Sequence, residues 1–273
     1  MKKRIVVIGI IFLLIFSISA SFGVEVRVSL KLNDHYIESD EPNILINDTT
    51  YLVARSLVNT LGHTIDWSNE ERKVTITTDK KEIEFIVDEN LLYVNGSVVE
   101  IEKKPFIRNG RTYLPLRIVA EHLGCNIDFD QSTYTVELSE ETVEEIPEAF
   151  TYTPNYSAED LKWLSKIVEV ESSHGDLEMM LAIANVVNNR VEDPRFPNTV
   201  KDVIFEVNTH VQFPPAHKDS FPSVEPSLYS KIASKNALEG KNNIGNALFF
   251  NNRPFKSKSD DLLEIINGEY FYE

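Results

Sequence analysis

One cysteine, Cys125, stands in 273 residues. That excludes an intrachain disulfide and a cysteine-based zinc site. Basic residues are scarce: 27 Lys and Arg face 43 Asp and Glu, a formal net charge of -16. No basic stripe occurs, so a nucleic-acid backbone is not an expected partner, nor is an anionic surface held by bulk charge. The six histidines (His35, His63, His122, His174, His210 and His217) show no HExxH or comparable spacing. No metal and no cofactor is therefore expected. Long apolar runs are missing too. Residues 5–16 form an apolar run of twelve, whereas a bilayer span needs about 20.

That run follows Met1-Lys2-Lys3-Arg4 and precedes the small residues Ser19, Ala20, Ser21 and Gly23. A basic start, a short apolar core and small residues predict a secretory signal over residues 1–23. An uncleaved anchor is the alternative. Both place the remainder outside the cytoplasmic membrane, with no stable membrane insertion after cleavage. At 42% hydrophobic and 26% charged, the chain has enough apolar side chains to bury a core.

The first half is a duplication. Residues 47–76 align with 109–138 at an offset of 62 without a gap, and ten of thirty positions are identical. They include Tyr51/Tyr113, Leu52/Leu114, Arg55/Arg117, Gly62/Gly124, Ile65/Ile127, Asp66/Asp128 and Val74/Val136, with Trp67/Phe129 alike in character. Each unit reads as a turn, a strand, a helix stopped by Gly62 or Gly124, and two alternating strands. A further hairpin is expected over residues 83–99, turning at Asn95-Gly96. This pattern resembles the copper amine oxidase N-terminal-like, or stalk, domain of secreted bacterial proteins. The name implies copper, but no ligand set is visible. Tyr51, Tyr113, Trp67 and Phe129 read as core rather than sugar platforms, and Cys125 as a small buried hydrophobe. This half is expected to be a spacer or wall-targeting module.

Residues 141–156 follow as an acidic, proline-bearing linker. The chemistry is expected in residues 157–273. Ser157 reads as an N-cap with Asp160 in the first turn. Leu161, Leu164, Val168 and Glu171 then share one helical stripe. At about 100° per residue, Glu171 projects within about 20° of Leu164, while Glu169 falls on the polar side with Lys162 and Lys166. A carboxylate on the apolar stripe loses solvation and its pKa rises, which suits a general acid. The competing reading leaves Glu171 at a frayed, exposed helix end. The next helix, residues 178–190, is apolar nearly all round and should be central to a core.

The stretch LSKIVEVESSHGDLEMMLAIANVVNNRVEDPRFPNTVKDVIF resembles the spore cortex-lytic, cell wall hydrolase family (the SleB type). So do Val211-Gln212-Phe213, Gly245-Asn246-Ala247-Leu248-Phe249-Phe250-Asn251 and Gly268-Glu269-Tyr270-Phe271-Tyr272. The resemblance implies a mainly α, lysozyme-like domain with a small β element. It also implies cleavage of peptidoglycan glycan strands by one glutamate, which maps onto Glu171. Gln212, Phe213, Asn246, Phe249, Asn251, Tyr270 and Tyr272 are its candidate substrate-binding residues. The motif departs from the family where its second acid falls on Gly175 and the preceding glycine on His174; Asp176 and Glu178 are the candidates to compensate.

The chain is thus expected to be α+β, with a signal peptide (1–23), a duplicated stalk domain (24–140), a linker (141–156) and a cell wall hydrolase domain (157–273). The expected activity is that of a lytic transglycosylase or muramidase-like enzyme acting between N-acetylmuramic acid and N-acetylglucosamine. The alternatives are a catalytically inactive, wall-associated binder and a structural surface protein.

Overall fold

The computed structural model describes residues 24–143, 145–172, 176–207, 211–255 and 259–273. The predicted signal over 1–23 and the altered motif positions His174 and Gly175 lie outside these residues.

The N-terminal half runs β1 (Val26–Leu32), β2 (His35–Tyr36), β3 (Asn43–Ile46), β4 (Thr49–Val53), α1 (Arg55–Thr60), β5 (Thr64–Ser68), β6 (Lys73–Thr77), β7 (Glu82–Ile86), β8 (Leu91–Val94), β9 (Ser97–Glu100), β10 (Phe106–Arg108), β11 (Arg111–Pro115), α2 (Leu116–Leu123), β12 (Asn126–Asp130) and β13 (Thr135–Ser139). Each repeat is therefore a strand–helix–strand–strand unit, β4-α1-β5-β6 and β11-α2-β12-β13. The β3–β4 and β10–β11 hairpins turn at Asn47-Asp48 and Asn109-Gly110. All four residues have positive φ (48°, 60°, 51° and 71°), as a two-residue turn matched to strand twist requires. Gly124 ends α2 at φ 85°, where a side chain would be strained.

The repeats face one another across a pseudo-two-fold axis. β4 pairs antiparallel with β11, and the equivalent residues Leu52 and Leu114 sit opposite each other. One sheet runs β10-β11-β4-β3-β1-β13-β12, with β2 on β1, and a second runs β5-β6-β7-β8-β9. The symmetry breaks after the second strand of each final pair. β6 continues into the antiparallel β7, whereas β13 pairs parallel with β1, the strand that precedes both repeats. The expected hairpin at 83–99 is a three-stranded meander, β7–β8–β9. Leu57, Val58, Ile76, Phe85, Leu114 and Val119 fill the core between the layers.

The C-terminal half is helical: α3 (Ala158–Glu171), α4 (Leu177–Glu192), α5 (Val200–Ile204) and α6 (Leu228–Leu238). A small sheet follows, β14 (Phe249–Asn251), β15 (Leu262–Ile266) and β16 (Glu269–Tyr272), ordered β14-β16-β15. Ser157 and Asp160 close a capping box on α3, satisfying donors the first helical turn leaves free. α4 is buried nearly all round, through Ala182, Ile183, Val186 and Val187, as its sequence predicts.

Lys166 is a departure from the helical wheel. It is 4% exposed, its ammonium donating to the carbonyls of Pro222 (2.9 Å) and Val224. α3 packs against α4, α5 and α6, so little of it is left as a solvent face. Glu169 accepts from Ser227 N (2.8 Å) and Ser230 Oγ (2.6 Å), tying α3 to the start of α6.

The halves meet where β1 lies on α6. Val26, Val28, Tyr134 and Ile232 form a buried cluster there. Beside it, Lys235 of α6 donates to Ser29 Oγ (2.7 Å), Tyr156 OH and Glu239 Oε1 (2.8 Å).

Candidate active site

Glu171 is the last residue of α3. It ends the stripe that runs through Leu161, Leu164 and Val168. The residue is half-buried, and Oε1 is out of solvent with no hydrogen-bond partner among the described residues. Desolvation raises its pKa above the ordinary glutamate range. The charge of Glu269 raises it further, and the ammonium of Lys218 opposes both. An unpartnered buried carboxylate is costly, so the environment favours the protonated acid.

Glu269 gave no signal of this kind in the sequence. It lies on β16, far from Glu171 along the chain. The turn before it is pinned: Asn267 Nδ2 donates to Asp176 Oδ2 at 2.9 Å, and Asp176 caps α4 by accepting from Met179 N at 3.0 Å. The β15–β16 hairpin is thereby clamped to the segment that follows Glu171. Burial also raises the pKa of Glu269. Asp176, one candidate to replace the motif's second acid, is held below the usual carboxylate range by Met179 N–H and by Asn267. It is a committed helix cap. Glu178 is exposed on the first turn of α4.

The family-like elements in this half are largely structural. Asn189 Nδ2 donates to the carbonyls of Gly245 (2.9 Å) and Ala247 (2.8 Å), fixing the loop before β14. Arg190 Nε donates to Leu248 O at 2.8 Å. Its guanidinium lies 5.1, 5.1 and 5.4 Å from the rings of Phe196, Phe213 and Phe249, a desolvated cation among π-faces. Burial pulls its pKa down to about 10, against the charge of Glu206.

The predicted substrate-binding residues separate accordingly. Phe213 is 1% exposed and belongs to the core beneath Arg190, so it is not a groove residue. Tyr272 is also 1% exposed, its hydroxyl accepting from Phe255 N at 3.0 Å. Both Phe271 and Tyr272 are buried, Phe271 against Phe250 and Tyr272 against Phe255 (ring centroids 5.9 and 5.0 Å apart). Gln212, Phe249, Asn251 and Tyr270 are half-buried and Asn246 is exposed, so these five keep surface for a ligand.

Residues 31–138 match the family model for the copper amine oxidase N-terminal domain. Residues 175–272 match the model for cell wall hydrolase, a stretch that begins after Glu171. Both resemblances read from the sequence are borne out. The spore cortex-lytic enzyme of Bacillus cereus is 35% identical over 103 residues, 37% of this chain and 38% of that protein. That of Oceanobacillus iheyensis is 32% identical over 97 residues, 36% of this chain and 34% of that protein. The chain thus spans little over a third of the length of these curated relatives. Among solved structures, the catalytic domain of the germination-specific lytic transglycosylase SleB from Bacillus anthracis is 28% identical. It covers 45% of this chain and 100% of its own, at a TM-score of 0.39. The catalytic domain of the Bacillus cereus SleB protein is also 28% identical, covering 44% and 94%, at a TM-score of 0.39.

The copper in the first family's name finds no fit here. No group of three His, Cys, Asp or Glu capable of holding a metal occurs among the described residues. The buried Cys125 has its thiol pushed up to about 11 by desolvation and Glu140, which opposes the thiolate a metal needs.

Proposed function

We propose that the chain is an exported enzyme that cleaves peptidoglycan glycan strands between N-acetylmuramic acid and N-acetylglucosamine, as a lytic transglycosylase of spore cortex or cell wall. The observation that carries the reading is the Glu171 carboxyl, desolvated and unpartnered at the end of α3. The match to the cell wall hydrolase model and the similarity to spore cortex-lytic enzymes support the substrate class.

In this mechanism protonated Glu171 donates its proton to the glycosidic oxygen as the C1–O bond breaks. The resulting carboxylate then takes the proton of the muramoyl 6-hydroxyl, and O6 bonds to C1. The products are a free 4-hydroxyl and a 1,6-anhydro end, with no water consumed. One group serves as acid and then base.

Glu269 favours a second reading. Two carboxyls in one site are what hydrolysis uses, one as acid and one as base or nucleophile. Mass spectrometry of digested peptidoglycan decides between them. Anhydro-muramoyl ends are expected; reducing ends carrying an added water, with no anhydro species, would assign hydrolysis instead. No cleavage at all by wild type, together with sedimentation on walls, would leave a binding protein.

The pH profile follows from the same charges. Activity needs protonated Glu171, so kcat/KM is expected to fall as pH rises through its ionisation, above the ordinary glutamate range. Glu269→Gln removes a neighbour that raises this pKa and should move the limb to lower pH. Lys218→Met removes the opposing charge and should move it to higher pH. A turbidity assay on purified sacculi across pH measures both, and shifts in the reverse directions would remove Glu171 as the titrating acid.

A further inference from the structure

The N-terminal domain holds two clefts that are copies of each other. One, about 540 Å³, is lined by Arg55, Asp66 and Trp67. The other, about 740 Å³, is lined by Arg117, Asp128 and Phe129, the same positions shifted by the repeat offset of 62. The floors correspond as well, Ile65 and Val74 in the first and Ile127 and Val136 in the second. Each cleft is closed by a turn of the opposite repeat, Gly110-Arg111-Thr112 in the first and Asp48-Thr49-Thr50 in the second. That exchange is what the pseudo-two-fold axis at Leu52 and Leu114 produces.

The arginines and aspartates of these clefts are exposed on both repeats. The repeats differ at twenty of thirty aligned positions, yet Arg55/Arg117 and Asp66/Asp128 are identical. A buried residue is retained for packing; an exposed charge in a cleft has no such reason. Among the described residues neither arginine enters a salt bridge, whereas Arg111 pairs with Asp40 at 3.5 Å. Of the two rings read from sequence as core, Phe129 is 38% exposed, while Trp67 packs against the core and is half-buried, leaving part of the ring to the cleft.

Each cleft therefore offers, at equivalent positions, an aromatic ring, a guanidinium and a carboxylate over an aliphatic floor, and the smaller one adds the Arg111–Asp40 pair. A ring covers the apolar face of a pyranose, while the two charged groups donate to and accept from hydroxyls and acetamido groups. In the larger cleft Asp48, Glu100, Glu102, Glu121 and Asp128 outnumber Arg117 and Lys103, a balance that disfavours an anionic polymer. We propose that the two clefts are equivalent binding sites for an N-acetylated amino-sugar strand, one per repeat, making the domain a bivalent grip on the polymer. The choice of sugar rests on the peptidoglycan reading above; the pairing of the clefts rests on the repeat.

The test uses the full chain carrying Glu171→Gln, so that the probe is not consumed. The probe is a soluble, uncharged oligomer of N-acetylglucosamine, and binding is measured by titration calorimetry. Arg55→Ala or Arg117→Ala alone should weaken binding about tenfold and the pair together about 10²-fold, since two linked sites lose their avidity stepwise. Asp66→Asn with Asp128→Asn, close in shape to the native pair, should show the same loss if the alanine pair melts early. Unchanged affinity in a folded double variant overturns the proposal. So does competition by free stem peptide but not by glycan. A chain that never cleaves peptidoglycan but loses glycan on these substitutions removes the catalytic reading and keeps this one. Normal cleavage by wild type with unaltered binding in the double variants does the reverse.

Discussion

Replacing Glu171 by glutamine is expected to lower glycan cleavage by about 10²–10⁴-fold, the usual contribution of a positioned proton donor, and to raise the melting temperature at neutral pH. The two effects have one cause. Glutamine keeps the shape at the end of α3 but has no proton to transfer. The native carboxyl has a folded pKa above its unfolded one, so the folded state binds the proton more tightly. Its contribution to stability is fully present below the unfolded pKa and is lost as pH rises through the folded one. At neutral pH, above the unfolded pKa, the unfolded chain gains stability by ionising this carboxyl, an advantage the amide removes. Below the unfolded pKa the two proteins should melt alike. Glu169→Gln is the control: that residue accepts from Ser227 and Ser230, away from the chemistry, and should retain cleavage. Equal clearing of purified sacculi by wild type and Glu171→Gln would take Glu171 out of the mechanism.

The position of Glu171 was legible because it depends on one helix. A cap at Ser157, a stripe through Leu161, Leu164 and Val168, and a stop after Glu171 are local features, and α3 follows them. The repeat was legible for a similar reason. Turn residues with positive φ at Asn47 and Asn109, and glycines that stop helices, determine conformation within a few residues of themselves.

Glu269 was not legible, because its approach to Glu171 depends on a hairpin fastened by Asn267 to Asp176, a contact that no periodicity encodes. Lys166 was misplaced because a helical wheel assumes one covered face, and α3 is packed on several. Phe213 and Tyr272 were misassigned for the converse reason. Aromatic residues near a site are equally suited to the core, and here Arg190 covers Phe213 and Phe255 covers Tyr272. The matched clefts show the limit from another side. The identities Arg55/Arg117 and Asp66/Asp128 are plain in the sequence, but only the fold reveals that they are exposed and line equivalent hollows.

Lys235→Met is expected to destabilise the protein by about 3–5 kcal/mol, the range found when one partner of a buried ion pair is removed. Lys235 is wholly buried on α6 and donates to Glu239, Ser29 and Tyr156. Burial pulls its pKa down, against the attraction of Glu239. Glu239 stays ionised: desolvation would raise its pKa, but Lys235 and the hydroxyls of Tyr156 and Ser29 outweigh it. Methionine fills the space of the lysine stem and leaves that carboxylate its hydroxyl donors and the attraction of Arg27, but no ammonium hydrogen-bonded to it. At about 2–4 °C per kcal/mol for domains of roughly this size, the melting temperature should fall by about 6–20 °C. Because Ser29 belongs to β1 and Tyr156 precedes α3, the same change should loosen the contact between the two halves, and limited proteolysis near residues 145–156 should accelerate. Lys235→Met with Glu239→Leu removes both charges and should recover much of the loss, since replacing a buried pair by apolar groups is often neutral. A single variant that melts within about a degree of wild type would mean that Glu239 finds other compensation, and the network would no longer account for how β1 is held on α6.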